Sequence, residues 1–174
     1  MRIHYIRDAK SENTNLQMFS LRQANKVWRE MENDLAAHER IEREHDRSVF
    51  VIATLGLSIT QLLSQNFLSS SQPIANPVEL FASIVERHNL NTKLKTQFQE
   101  FVDIYSQCRH RELISDEEGR ERIQGLTFDE TRRWYELGIE IWHVILSVLD
   151  DGTNEFRDSV DLRATDEEIA AGVA

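Results

Sequence analysis

The chain has 174 residues, enough for one domain that buries roughly 70% of its unfolded surface. Apolar residues make up 40% and charged residues 29%, as in ordinary soluble globular proteins, and the formal net charge is −10. Residues 79–174 carry eleven basic and 21 acidic side chains, so the whole imbalance lies there. This composition excludes a general nucleic-acid coat, which needs an extended basic surface, and leaves open local RNA contact at a small site.

The first half of the chain predicts an N-terminal arm followed by two long helices. Residues 1–12 read either as an irregular arm or as a short extended piece at Ile3–Ile6. A helix is predicted from about Asn15 to His45, because Leu21, Ala24, Trp28, Met31 and Leu35 fall on one face. A second helix is predicted over Arg47–Asn66, with no charged residue after Arg47, and a loop over Leu68–Asn76.

The second half contains clear helix-start signals. Asn76 followed by Pro77 predicts the N-terminus of a short helix that ends near His88, and Asn91 can cap the next one. Ser115–Gly125 reads as a connection, and Thr127 with Glu130 forms a capping box for a final helix that continues to about Leu149. Residues 151–174 are acidic and poor in apolar side chains, which predicts a partly disordered tail.

Two of these helices, over Val49–Leu63 and Leu137–Leu149, are apolar nearly all round and predict a central pair buried on several sides. The fold prediction is therefore an all-α, compact bundle of about five helices over residues 13–150, with a flexible acidic C-terminal tail. Because Leu137–Leu149 is apolar on nearly all sides, this helix also fits a homodimer interface or a contact with a protein partner.

Localisation is predicted from three features. Cys108 is the single cysteine, which excludes an intramolecular disulfide and fits a reducing cytosol. Met1–Lys10 is basic but lacks the long apolar core of a secretory signal. Val49–Leu68 is long enough to cross a bilayer, but its polar C-terminal third favours a buried helix. We therefore expect a cytoplasmic protein without a membrane span.

The candidate site begins with Arg109 and His110 at the end of the amphipathic segment Leu94–Leu113. At 100° per residue, Arg109 shares a narrow stripe with Phe98, Val102 and Tyr105, so it is predicted to point toward the interior or a partner. A guanidinium keeps its proton, and an inward arginine therefore needs an anion, a route to water or a ligand. Pairing with Glu112 or with helix-terminal carbonyls is the structural alternative.

This arrangement resembles HEPN-type domains, the higher-eukaryote and prokaryote nucleotide-binding superfamily, over about residues 94–149. Such domains are all-α, often dimeric, and many are metal-independent ribonucleases of toxin–antitoxin and defence systems. Their motif is an arginine, usually followed by a polar residue, and then a histidine after four to six intervening residues. The resemblance implies that Arg109 is the motif arginine and His110 its polar neighbour.

The motif's second histidine is missing, because positions 114–116 hold Ile, Ser and Asp. Arg40 followed by His45 also satisfies the bare motif, within a charged run that equally fits a solvated face. The predicted catalytic residues are accordingly Arg109, His110, Arg40 and His45, and convergence of the two segments would form a composite site. The resemblance implies either an active ribonuclease or a catalytically incomplete member that works through dimerisation or partner binding.

Two alternatives of other classes stay open. The chain fits a helical interaction module without chemistry. It also contains two Glu-x-x-His pairs, Glu42 with His45 and Glu140 with His143, at the spacing of di-iron bundles. A di-iron centre needs further inward glutamates that the charge-free helix does not supply, so we expect neither a metal nor another cofactor.

Overall fold

The computed structural model describes residues 2–5, 12–36, 44–67, 76–110, 117, 123, 125–149 and 158–161. Its elements are, in chain order, β1 (Arg2–Tyr5), α1 (Glu12–Ala36), α2 (Glu44–Phe67), α3 (Pro77–Arg87), α4 (Lys93–Arg109), α5 (Phe128–Leu149) and β2 (Asp158–Asp161). The described part of the chain is thus an all-α bundle of five helices, which confirms the predicted fold class. The predicted flexibility of the tail concerns residues that lie, apart from β2, outside the described ranges.

α2 is the central helix, and it packs against α1, α3, α4 and α5. Residues 48–78 contain no charged side chain, so α2 can be covered on several sides without burying an ion. Ile52, Leu55 and Ile59 on α2 are fully buried, as are Ile139 and Ile141 on α5. The predicted central pair of apolar helices is confirmed.

α1 packs on both α2 and α5 through the predicted apolar face, of which Leu21, Ala24, Trp28 and Met31 are buried. The Trp28 ring stacks between two rings of α5, with centroids 4.9 Å from Phe128 and 5.1 Å from Tyr135. Such stacked aromatic pairs contribute about 0.5–1.5 kcal/mol each beyond their buried area.

Capping residues place the helix ends where the sequence predicts them. The Asn76 side chain accepts the Val78 N–H at 3.0 Å, and Pro77 is the first residue of α3. At the other end, Asn89 adopts a left-handed conformation (φ 51°), and the Leu90 N–H donates to the Val85 carbonyl at 2.9 Å. This is a Schellman-type end, which satisfies the last carbonyls of α3.

The next two helix starts also follow their predicted caps. The Asn91 side chain accepts the Lys93 N–H at 3.1 Å at the start of α4. Thr127 and Glu130 form the predicted capping box: the Thr127 hydroxyl accepts the Glu130 N–H, and the Glu130 carboxylate accepts the Thr127 N–H. The predicted start and end of α5 are confirmed.

The boundary between the first two helices was predicted wrongly. α2 begins at Glu44, so His45 lies in its first turn and not at the end of α1. An ion pair between Arg47 of α2 and Asp34 of α1 joins the two helices near this connection. Charged residues fit an exposed helix in any register. The charged pattern around residue 44 therefore does not show where one helix ends and the next begins.

β1 and β2 form a short antiparallel strand pair. The sequence offered an extended piece at Ile3–Ile6 but did not predict its pairing with residues 158–161. Ile3 lies opposite Val160 and Tyr5 opposite Asp158, and β1 also lies beside α5. The strand pair therefore connects two segments that are distant in sequence next to the last helix.

Candidate functional site at the end of α4

α4 ends at Arg109, and His110 is its C-cap residue. The His110 backbone N–H still donates to the Ser106 carbonyl at 3.0 Å, while its dihedral angles (φ −111°, ψ 29°) have left the helix. Both side chains are exposed. A cation in the last turn of a helix is favoured by the partial negative charge of its free carbonyls, so the position itself stabilises this arginine.

Of the two directions predicted for Arg109, the interior or a partner, the interior is excluded because the side chain is exposed. The stripe is buried at Phe98 and Tyr105 and half-buried at Val102, but Arg109 stands one turn beyond the edge of the core. Its guanidinium Nη1 donates to the Tyr105 hydroxyl at 2.6 Å, and its central carbon lies 6.0 Å from the centroid of the tyrosine ring. The aromatic side chain thus anchors an exposed cation. No other hydrogen-bond partner for this guanidinium is found among the described residues.

Tyr105 is held in turn by a close approach between α4 and α2. A Cβ atom on Gly56 would lie 2.2 Å from Cδ2 and 2.3 Å from Cγ of the Tyr105 ring, so the ring lies directly on the α2 backbone. Tyr105 is only 5% exposed. Because the ring is fixed, the Arg109 guanidinium has a defined anchor at one of its nitrogens. Glu112, the alternative partner that the sequence offers, lies outside the described residues.

The sequence analysis identified neither Tyr105 as the anchor of Arg109 nor Gly56 as the residue on which the Tyr105 ring packs. The first has a readable signal, since a tyrosine four residues before an arginine lies on the same helix face. The second has a weaker one, a glycine in the middle of an apolar helix, which often marks a close packing contact.

The two predicted segments lie on different helices. His45 is in the first turn of α2, whereas Arg109 and His110 are at the C-terminal end of α4. Arg40 lies outside the described residues. The composite site of four residues therefore stays a prediction.

His45 has a notable environment of its own. It is half-buried, and its Nδ1 atom is shielded from solvent with no hydrogen-bond partner among the described residues.

An internal comparison is supplied by α3, which also ends in Arg-His. Arg87 is the last residue of that helix and His88 is its C-cap, and both are exposed. The position equivalent to Tyr105 is Ser83, whose hydroxyl donates to the Leu80 carbonyl of its own helix. The Arg-His pair is therefore a recurrent helix end in this chain, and the anchoring tyrosine is what distinguishes the pair on α4.

The other sequence candidates are placed as follows. Glu140 is exposed on α5 and His143 is half-buried, while Glu42 lies outside the described residues. Within the described ranges there is no group of three or more His, Cys, Asp or Glu side chains that could hold a metal ion.

The apolar helices are largely covered by the chain itself. Of the segment Leu137–Leu149, the residues Leu137, Ile139, Ile141, Trp142, Ile145 and Leu146 are buried within the bundle. One helix of the described part, over His45–Ser64, is long and apolar enough to cross a membrane, and 56% of this stretch is buried in the bundle. Length and hydropathy alone do not distinguish a membrane span from the central helix of a bundle.

Comparisons of the chain with protein-family models, with curated proteins and with solved structures found no match.

Proposed function

We propose that this chain is a HEPN-like helical protein that acts on or beside RNA in a prokaryotic or phage toxin–antitoxin or defence system. In this proposal it is catalytically incomplete as a single chain and works through RNA contact together with dimerisation or partner binding. The observation that carries the proposal is the Arg109 guanidinium, which is exposed and anchored by Tyr105.

An anchored guanidinium suits a phosphate oxygen. Arginine presents a planar fork of N–H donors to an anion, and fixing its position beforehand reduces the ordering cost when the ligand binds. His110 is the next residue and is exposed as well, so a protonated imidazole would add a second cation beside the first. The acidic composition limits such contact to a local site.

The proposal of incompleteness rests on the proton-transfer group. Cleavage by 2′-OH attack needs a general base within hydrogen-bond reach of that hydroxyl. The sequence has no histidine at positions 114–116, where the family's motif places one. His110 would have to serve, without that second histidine.

The test is RNA binding measured by fluorescence anisotropy with a labelled single-stranded RNA, in EDTA and at fixed low salt. Arg109→Ala should raise the Kd about fivefold to tenfold, because one charge-assisted phosphate contact is lost. Arg87→Ala is the matched control, since it removes an exposed arginine from a helix that also ends in Arg-His but lacks the anchoring tyrosine. It should change the Kd less than twofold. Equal effects of the two substitutions, or no binding by the wild type, would contradict the proposal.

Two further measurements separate the parts of the proposal. Tyr105→Phe keeps the charge of Arg109 but removes its anchor, and it should weaken binding less than Arg109→Ala does. The same RNA should remain intact during prolonged incubation in EDTA. Cleavage that persists in EDTA and disappears in Arg109→Ala or His110→Ala would instead identify an active metal-independent ribonuclease.

A further inference from the structure

The connection between α3 and α4 is a basic segment in an acidic chain. We name residues 87–95 the basic turn, because they include Arg87, His88, Lys93 and Lys95 and contain no Asp or Glu. Arg87, His88 and Lys93 are exposed, and Lys95 is half-buried. Two of the four lysines of the chain lie in these nine residues, although the net charge of the chain is −10. Positive charge is therefore concentrated at this end of α3 and α4.

The backbone of the basic turn is held by hydrogen bonds at both helix ends. Asn89 adopts a left-handed conformation (φ 51°), and the Leu90 N–H donates to the Val85 carbonyl at 2.9 Å, which ends α3. The Asn91 side chain accepts the Lys93 N–H at 3.1 Å at the start of α4. The cations are thus attached to an ordered connection, so less backbone freedom is lost when they bind a ligand.

Only one of these cations is neutralised by a described residue. The Lys95 ammonium donates to the Glu86 carboxylate and lowers the pKa of that group. Arg87 and Lys93 form no ion pair with another described residue. The first turn of α4 also contains no acidic side chain, whereas the first turns of α3 and α5 do, so the partial positive charge of its N-terminus adds to the two cations.

Charge complementarity selects a short acidic segment as the ligand of the basic turn. Away from the turn, α3 and α4 carry the exposed carboxylates Glu79, Glu100 and Asp103, so the positive region is bounded along both helices. A polynucleotide carries a charge at every phosphate and would meet these carboxylates as well, whereas a peptide with two or three acidic residues would not. Alternate side chains of an extended peptide lie about 7 Å apart on one face, and packed helix axes lie about 8–10 Å apart. Two such carboxylates therefore match cations on the two neighbouring helix ends.

We propose that the basic turn binds an extended, Asp- or Glu-containing segment of a partner protein, with Arg87 and Lys93 as the cations that contact its carboxylates. The inference rests on the proposed function for the need of a protein partner, and it names the place and the chemistry of that contact. Its residues are separate from Arg109, so either proposal can fail while the other holds.

The test is fluorescence anisotropy of a fluorescein-labelled peptide of four Glu-Ser repeats, titrated with the full chain at fixed low salt. Binding should be saturable and should weaken as salt is added. Lys93→Glu should raise the Kd about fivefold, because a contact is replaced by a repulsion. Lys26→Glu makes the same charge change at an exposed position of α1 and should alter the Kd less than twofold. Equal effects of the two substitutions, or no saturable binding at about 1 mM, would overturn the proposal.

Amide chemical shifts of the ¹⁵N-labelled full chain locate the contact without a substitution. Unlabelled peptide should shift the amides of residues 86–95 and leave those of Arg109 and His110 in place, and shifts centred elsewhere would overturn the assignment. The RNA affinity of Lys93→Glu should stay within twofold of the wild type. A larger loss would assign the basic turn to RNA instead. A tenfold gain in peptide affinity on combining Asp166→Asn, Glu167→Gln and Glu168→Gln would also overturn the proposal, because the chain's own acidic residues would then be the ligand.

Discussion

Gly56→Ala should destabilise the protein although alanine is the better helix former. The added methyl group would lie 2.2, 2.3 and 2.8 Å from three carbon atoms of Tyr105, whereas carbon atoms normally approach to about 3.5–4.0 Å. A ring packed between two helices must therefore move by more than 1 Å. Overpacking of this kind costs about 3 kcal/mol, and the gain in helix propensity returns about 1 kcal/mol.

The expected net loss is about 2 kcal/mol in the free energy of unfolding, which corresponds to a fall in Tm of about 4–8 °C for a chain of this size. Urea unfolding followed by circular dichroism at 222 nm measures it, with an unchanged m-value as the sign of an intact native state. In a Tyr105→Ala background the same substitution should be neutral or slightly stabilising. The double-mutant cycle should therefore show a coupling of about 2–3 kcal/mol.

Gly138→Ala is the matched comparison. Its methyl group would lie 2.5 Å from Cδ2 of Leu55 and 3.1 Å from Cε2 of Phe101, so its closest neighbour is the end of a flexible side chain and not a ring. We expect a net loss of about 1 kcal/mol or less. The reasoning is refuted if Gly56→Ala is as stable as the wild type, or if its cost is the same with and without the Tyr105 ring.

Three further outcomes follow from described contacts. Thr127→Ala removes one half of the capping box of α5 and should cost about 1 kcal/mol in urea unfolding, and Thr127→Ser should restore most of it. Burial, with the nearby Glu32 charge, raises the pKa of Tyr135, so folding favours its neutral form. The stability that this provides is complete below pH 10 and falls as the pH rises further, and Tyr135→Phe should flatten that alkaline loss in urea unfolding. The Cys108 thiol should react with a disulfide reagent at the rate of global unfolding, and rapid reaction in native buffer would show local opening there.

Helix ends were predictable where the signal is a local hydrogen bond. Asn76, Asn91 and Thr127 each accept a backbone N–H within three residues, so the sequence around them contains both partners. The junction near residue 44 has no such signal. His45 was consequently assigned to the wrong helix, and the charged pattern on either side of it fits both helices equally well.

The candidate site was predictable in part. The stripe through Phe98, Tyr105 and Arg109 gave the direction of the arginine side chain but not its depth, because depth depends on how far the neighbouring helices extend. The structure ends the covered part of the stripe at Tyr105. It also shows that His45 and Arg109 belong to different helices, α2 and α4, whose relative position no periodicity within either one contains.

The sequence by itself determined the all-α class, the central position of the two apolar helices and most capping residues, since these depend on neighbours within one or two turns. Tertiary structure alone decided that Tyr105 lies on Gly56, that the apolar surround of α5 is covered by its own chain, and that β1 pairs with β2. Each of these joins segments that are distant in sequence, and their contact depends on shape and on the packing of the whole bundle.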